Sequence, residues 1–379
     1  MQLLNGLSPQ QFLDEYWQKK PLLIRQAIPG FTGLLSPNDL AGLACEDDVQ
    51  ARLISLKKNQ WAVQHGPFDE TDFTRLPKQD WTLLVQGVNH YVPGATALMA
   101  MFNFIPHARL DDLMVSYAPK GGGVGPHLDS YDVFLLQGLG RRNWKISAQT
   151  DHQLIENAPL KILQHFETEQ EWVLESGDML YLPPQIAHWG IADSDDCMTY
   201  SIGFRAPAAQ ELGQEFLGYM QEQLCLNGMY ADPDLTLQKH PAEISTDMVR
   251  KVSAMLRQIQ WNEDNVGDFL GRYLSEPKPH VVFEPNKKIS QSKFATMLRE
   301  KTLSLDLKSQ MLFWQKRFYL NGELLGAEND ILSANILATI QALADNRVLP
   351  AMTLNEDEIA CLAQWFYPAY LAGFVEFAA

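Results

Sequence analysis

Up to about residue 95 the chain mixes amphipathic helical stretches with short strand-like runs such as Pro21–Arg25, entered through Trp17, Lys19 and Lys20. No catalytic pattern stands out there. From Leu113 to Phe204 the texture changes to short apolar, β-branched and aromatic runs separated by Gly, Pro and polar positions, which predicts an antiparallel sandwich or barrel. The predicted strands cover 113–117, 133–136, 143–146, 172–174, 179–182 and 199–204, with Ser176, Gly177 and Asp178 supplying a turn.

After Arg205, Ala206 and Pro207 the period becomes helical, predicting helices over 210–224 and 246–260. In the second, Met248, Val252, Met255 and Ile259 recur at helical spacing, a stripe that must be buried within the chain or against a second copy. Pro277, Lys278 and Pro279 read as a stiff linker, because successive prolines favour extended backbone. Beyond them come a helix (292–301), strands (303–307 and 312–320), a turn at Asn321-Gly322 and helices (330–343 and 355–366), a helix-and-wing order that resembles a winged-helix module. From Asn286 onward nine lysines and arginines face ten acids, so a basic DNA-reading face is not expected and a structural or protein-contacting role is.

At 379 residues, and with about 150 residues per domain as the guide, two or three domains are expected. Hydrophobic residues at 46% and charged residues at 20% exclude wholesale disorder. A net charge of −16 argues against phosphate backbones and anionic membranes and points to a basic partner. The four cysteines lie far apart without a C-x-x-C pair and are expected to be reduced and mostly buried. No run is apolar enough for a membrane span, so a soluble, cytoplasmic protein is expected.

The chemistry concentrates in Gly121-Gly122-Gly123-Val124-Gly125-Pro126-His127-Leu128-Asp129. Side chains two apart on a strand share a face, so His127 and Asp129 can present an imidazole and a carboxylate to one ion. A lone His-x-Asp means little. His188, following a strand and Pro183-Pro184, is suited to complete it, although spacing alone leaves His107, His152 and His165 open as weaker candidates. Two histidines and one carboxylate on one face of an octahedral ion leave three positions free, as Fe(II) needs for a bidentate 2-oxo acid and O2. Arg142, thirteen residues after Asp129, can pair its guanidinium fork with a distal carboxylate.

The segments GGGVGPHLDSYDVF (121–134), GRRNW (140–144) and GDMLYLPPQIAH (177–188) together resemble the JmjC-type cupin oxygenases, and most nearly their bacterial ribosomal-oxygenase branch, arginine hydroxylases of the sixteenth large-subunit ribosomal protein. Tyr16–Ile24, Tyr200–Pro207 and Tyr230–Asp234 share that likeness. The resemblance implies an α+β protein: a double-stranded β-helix (cupin/JmjC jelly roll) over 1–207, a helical dimerisation segment over 208–279 and a winged helix over 280–379. It implies Fe(II) on His127, Asp129 and His188, 2-oxoglutarate held by Arg142 where many relatives use lysine, and a hydroxyl contact from Ser116. With O2 these would hydroxylate an arginine of a basic ribosomal protein, the enzyme acting as a homodimer. Two rival readings remain, a cupin metalloenzyme of another reaction class, which would not need Arg142, and a non-catalytic scaffold that retains the fold; within the oxygenase class a hydroxylase of a different residue such as histidine stays open.

Overall fold

The computed structural model describes residues 2–58, 60–326, 332–351 and 354–377. Its N-terminal part contains α1 (Pro9–Glu15), β1 (Leu22–Ile24), α2 (Pro37–Leu43), β2 (Ala51–Lys57), β3 (Gln60–His65), α3 (Glu70–Thr74), β4 (Trp81–Val85) and α4 (Gly94–Ala100). Then follow β5 (Leu110–Ala118), β6 (Asp132–Leu139), β7 (Arg142–Ser147), β8 (Gln170–Leu174), β9 (Met179–Leu182), β10 (Ala187–Ala192) and β11 (Cys197–Phe204). One sheet has the order β1-β9-β6-β11-β5-β4-β2-β3, the other β10-β7-β8, and every pairing is antiparallel. All six predicted strands are present, and β10 with the N-terminal β2, β3 and β4 adds pairings that the pattern did not foretell.

β6 is central because both of its faces are apolar. Phe134 and Leu136 pack with Phe12, Phe102, Tyr181 and Phe204 under the N-terminal helices, whereas Val133 and Leu135 face Trp144, Ile146 and Leu174 across the gap between the sheets. Burying one such side chain contributes about 1.5–3 kcal/mol. α1 supplies Phe12, whose ring lies 4.9 Å from Tyr181, and a capping box between Ser8 and Gln11 fixes where that helix starts. Asp132, fully buried at the head of β6, accepts hydrogen bonds from the Tyr181 hydroxyl (2.7 Å), Gln18 Nε2 (2.9 Å) and Arg109 (3.2 Å), so its charge is satisfied.

The helical segment holds α5 (Ala209–Gln223), α6 (Thr246–Leu256) and α7 (Glu263–Ser275). α6 stops before the predicted Gln260, and none of its residues is buried, so the methionine-rich stripe is only half covered within this chain. α7 was not predicted, and it carries two residues that weaken a helix, Gly267 and Gly271. The structure gives them a packing reason: a Cβ would come 2.5 Å from Trp314 at one glycine and 2.2 Å from Tyr319 at the other.

The last part comprises α8 (Gln291–Glu300), β12 (Leu303–Leu305), β13 (Met311–Trp314), β14 (Arg317–Leu320), β15 (Glu323–Leu324), α9 (Ala334–Asn346), β16 (Val348–Leu349), α10 (Glu356–Leu371) and β17 (Val375–Phe377) around its own core. The expected strand 312–320 is a hairpin, reversed at Gln315-Lys316 with Gln315 in the left-handed region (φ 55°), a turn without the usual Gly or Asn signal. α9 begins at Ala334 behind its Ser333 cap rather than at Asp330, which lies outside the described residues, and α10 continues five residues past Phe366 through Pro368. The expectation of mostly buried cysteines needs correction: Cys197 is buried, Cys45 and Cys361 are half-buried, Cys225 is exposed, and none is disulfide-bonded. Cys225 escapes burial because it follows the end of α5 in an irregular stretch.

The C-terminal part docks on the first sheet through polar contacts. Lys308 pairs with Asp48, Gln310 donates to the His107 carbonyl, and Lys278 pairs with Asp111. Beside this seam, burial reinforced by Lys278, His280, Lys308 and Arg347 pushes His90 down to about 4. An unfolded histidine takes up its proton near 6.5, so the stability His90 contributes is complete above that pH and is lost as pH falls toward 4. In His90→Gln, the urea midpoint should fall less between pH 6.5 and 4 than in the parent chain; parallel curves would show that His90 is not the group responsible.

Candidate metal centre

One pair of residues ties the segment after β5 to β10. The His127 amide donates to the His188 carbonyl (3.0 Å) and the His188 amide donates back to His127 (2.9 Å), an isolated antiparallel bridge. His188 stands past β9 and the Pro183-Pro184 turn, as expected, and is the second residue of β10, whereas His127 lies in a bridge rather than a full strand. The rings sit 4.2 Å apart. Each Nδ1 faces a carbonyl two residues back, Gly125 for His127 and Ile186 for His188, both at 2.9 Å. With Nδ1–H donated there, each Nε2 lone pair points away from the backbone and is free for a metal.

Asp129 completes the group. His188 Nε2 lies 3.5 Å from one carboxylate oxygen and His127 Nε2 3.8 Å from the other, and one ligand atom from each residue falls within 4.8 Å of the other two. Burial pushes His188 down to about 4, so it is the neutral imidazole near pH 7, the form that binds metal. This is the donor set that leaves open positions on Fe(II). Among the described residues no other cluster of three such side chains forms. His152 and His165 lie in an exposed loop with Gln149 and Asp151, and His107 bonds Asn103 near the seam, so these three competitors fall away from the site.

Arg142, the first residue of β7, lines the same pocket and is only 4% exposed. Its buried Nε and one terminal nitrogen have no hydrogen-bond partner, so an uncompensated cation faces the cavity. A carboxylate is the group that satisfies such a fork. Trp144 packs beside it 5.8 Å away, and Gly190 opposite cannot be replaced, because a Cβ there would come 2.6 Å from the Trp144 ring. Ser116 is buried on β5 between Leu84 and Thr199 and lines the cavity together with Met114, as the inward orientation required.

The walls contain residues that the sequence did not single out. Thr199 on β11 donates to Gln137, and Tyr131 stands beside Asp129, where burial and that carboxylate push its hydroxyl up. Asp111 and Asp112 on β5, Arg52 on β2 and Gln86 also line the cavity. For Arg52 and Gln86 the missing information was the pairing of the N-terminal strands with β5. For Asp111 and Asp112 the available signal was two adjacent acids at the start of a predicted strand.

A double-stranded β-helix with this His-x-Asp and distant His constellation defines a JmjC-type cupin oxygenase. Residues 97–212 match the JmjC domain and 258–372 the ROXA-like winged helix. The chain is 33% identical to the ribosomal protein uL16 3-hydroxylase of Escherichia coli over 365 residues, 94% of this chain and 96% of that one. It is 40% identical to a probable ribosomal oxygenase of Haemophilus influenzae over 238 residues, 62% of this chain and 56% of that protein. The solved structure of the E. coli ribosomal oxygenase YcfD with cobalt and 2-oxoglutarate superimposes with a TM-score of 0.82 at 32% identity, covering 99% of both chains. The chain belongs to the ribosomal-oxygenase family of JmjC proteins.

If the three side chains form the centre, Mn(II) at about 100 times its Kd should stabilise the parent chain by about 2.7 kcal/mol. Asp129→Ala should show no such gain in thermal unfolding and retain no stoichiometric metal after dialysis. A retained metal-dependent shift would remove Asp129 from the ligand set.

Proposed function

We propose that this protein is an Fe(II)- and 2-oxoglutarate-dependent hydroxylase that acts at C3 of an arginine of ribosomal protein uL16. The observation that carries this reading is the unpaired, buried Arg142 guanidinium in the same cavity as the convergent Nε2 and carboxylate atoms of His127, His188 and Asp129. A cupin metalloenzyme without a dicarboxylate co-substrate has no use for such a group, because a buried, uncompensated cation is costly.

His127, Asp129 and His188 hold the iron, Arg142 takes the distal carboxylate of 2-oxoglutarate, and the Ser116 hydroxyl donates to the same end. Bound Fe(II), 2-oxoglutarate and O2 supply the oxidising chemistry, with succinate and CO2 as co-products. The protein's own contribution is placement and dryness. The Gly125 and Ile186 carbonyls fix the imidazole orientations, while Val133, Leu135 and Trp144 wall the cavity with apolar surface. At the other end Asp111 and Asp112 add negative charge to the cavity wall, which suits a cationic side chain such as arginine. The −16 net charge extends that preference to a basic ribosomal protein met in the cytoplasm.

The assignment divides the chain into an oxygenase domain (1–207), a helical dimerisation segment (208–279) and a winged helix (280–379) with a protein-contacting rather than DNA-binding role. Support for the dimer comes from apolar side chains uncovered on the helical segment, including Leu217, Val249, Leu256 and Trp261, the last 56% exposed. Leu256→Glu combined with Val249→Glu should convert a dimer to a monomer in sedimentation; an unchanged dimer would place the interface elsewhere.

With Fe(II), 2-oxoglutarate and uL16, fragment mass spectrometry should find one added oxygen on a single arginine together with stoichiometric succinate. Arg142→Ala should reduce turnover at low co-substrate by at least about 100-fold, as expected for loss of a charged contact worth roughly 3 kcal/mol. Turnover of the parent without 2-oxoglutarate would overturn the proposal.

A further inference from the structure

The acidic end of the reaction cavity is completed from outside the oxygenase domain. Asp112 is buried, and one of its oxygens accepts from the Gly87 amide at 3.0 Å. Lys278 Nζ, from the linker between α7 and α8, lies 3.0 Å from an Asp111 oxygen and 3.9 Å from that Asp112 oxygen. Arg205 also pairs with Asp111, at 3.3 Å. Among the described residues Lys278 makes no ion pair besides these two. Pro277 and Pro279 restrict the backbone on either side of it and so favour delivery of its ammonium to this place. Its side chain is 33% exposed, which leaves it close to the cavity wall but outside the cavity lining.

We propose that Lys278 is a specificity-determining positioning residue, the resident counter-ion through which the linker makes the cavity select a cationic substrate side chain. This inference rests on the reading of the substrate given above. A buried carboxylate beside a second acid is pushed toward its protonated form; a nearby ammonium opposes that push. The groups facing Asp112 are Lys278, Asp111, Arg205 and the Gly87 amide, with Tyr131 also close to both acids and with His90 and His280 behind Lys278. Burial raises Asp112, and Lys278 is the largest influence opposing it. A protonated acid pair would accept a neutral side chain as readily as a guanidinium. With Lys278 in place Asp112 keeps its negative charge to a lower pH than it would without that ammonium, and the cavity prefers the cation.

The test compares the parent holoenzyme with Lys278→Met and Lys278→Arg between pH 6 and 9, using a uL16 peptide with its target arginine and the same peptide with citrulline, a neutral isostere. The acid limb of kcat/KM for the arginine peptide should move up by about one pH unit in Lys278→Met, a loss of roughly tenfold on that limb. kcat at saturation should be retained, and Lys278→Arg should restore the parent profile. Binding of the citrulline peptide to the Mn(II)-loaded proteins should be the same in all three. Lys278→Gln replaces the Met variant should that fail to fold. Superimposed profiles for the arginine peptide, or equal losses with citrulline, would overturn the role of Lys278 while leaving the hydroxylase reading intact. Failure of the parent to hydroxylate the arginine peptide at all would remove both.

Discussion

Two backbone hydrogen bonds between His127 and His188 hold this structure to its purpose. They tie the irregular segment after β5 to the strand that closes the smaller sheet, and so fix the distance between two imidazoles that are sixty-one positions apart in the chain. Once that bridge exists, the carbonyls of Gly125 and Ile186 occupy the inner nitrogens and leave the outer ones toward a common point, with Asp129 beside them. Side-chain ligands held this way lose little freedom on binding a metal, because the backbone has already ordered them.

Around that point the cavity is electrically polarised. One end has Arg142, a buried cation with no ion-pair partner among the described residues; the other has Asp111 and Asp112, whose charges are partly matched by Lys278 and Arg205. Between them run apolar walls from β6 and β7. An anionic co-substrate and a cationic target would therefore be drawn to opposite ends, with the reacting carbon between. The dry interior strengthens both preferences, since charge interactions are much less attenuated there than in water.

The C-terminal half is joined to this arrangement by polar contacts rather than by a shared apolar core, with its own core formed separately around Phe294, Phe318 and Phe366. Lys278, Lys308 and Gln310 all reach the oxygenase domain from segments that flank or belong to the winged helix.

Much of this could be read from the residues in order. Short apolar, β-branched and aromatic runs separated by Gly and Pro located the six middle strands, and β6 and β11 among them are buried along almost their whole length. His127, Asp129, His188 and Arg142 were also recognisable as a set, His-x-Asp through strand geometry and the rest through a family likeness. Hidden from the sequence were α7, whose glycines make room for Trp314 and Tyr319, and the hairpin at Gln315, whose left-handed turn uses no typical residue. The placing of His107, His152 and His165 away from the site, the emptiness around Arg142 and the meeting of Lys278 with Asp111 were decided by tertiary structure alone. Local pattern specifies which face of an element is buried; which distant groups share a cavity depends on strand register and on contacts between segments more than a hundred residues apart, and neither leaves a periodic trace along the chain.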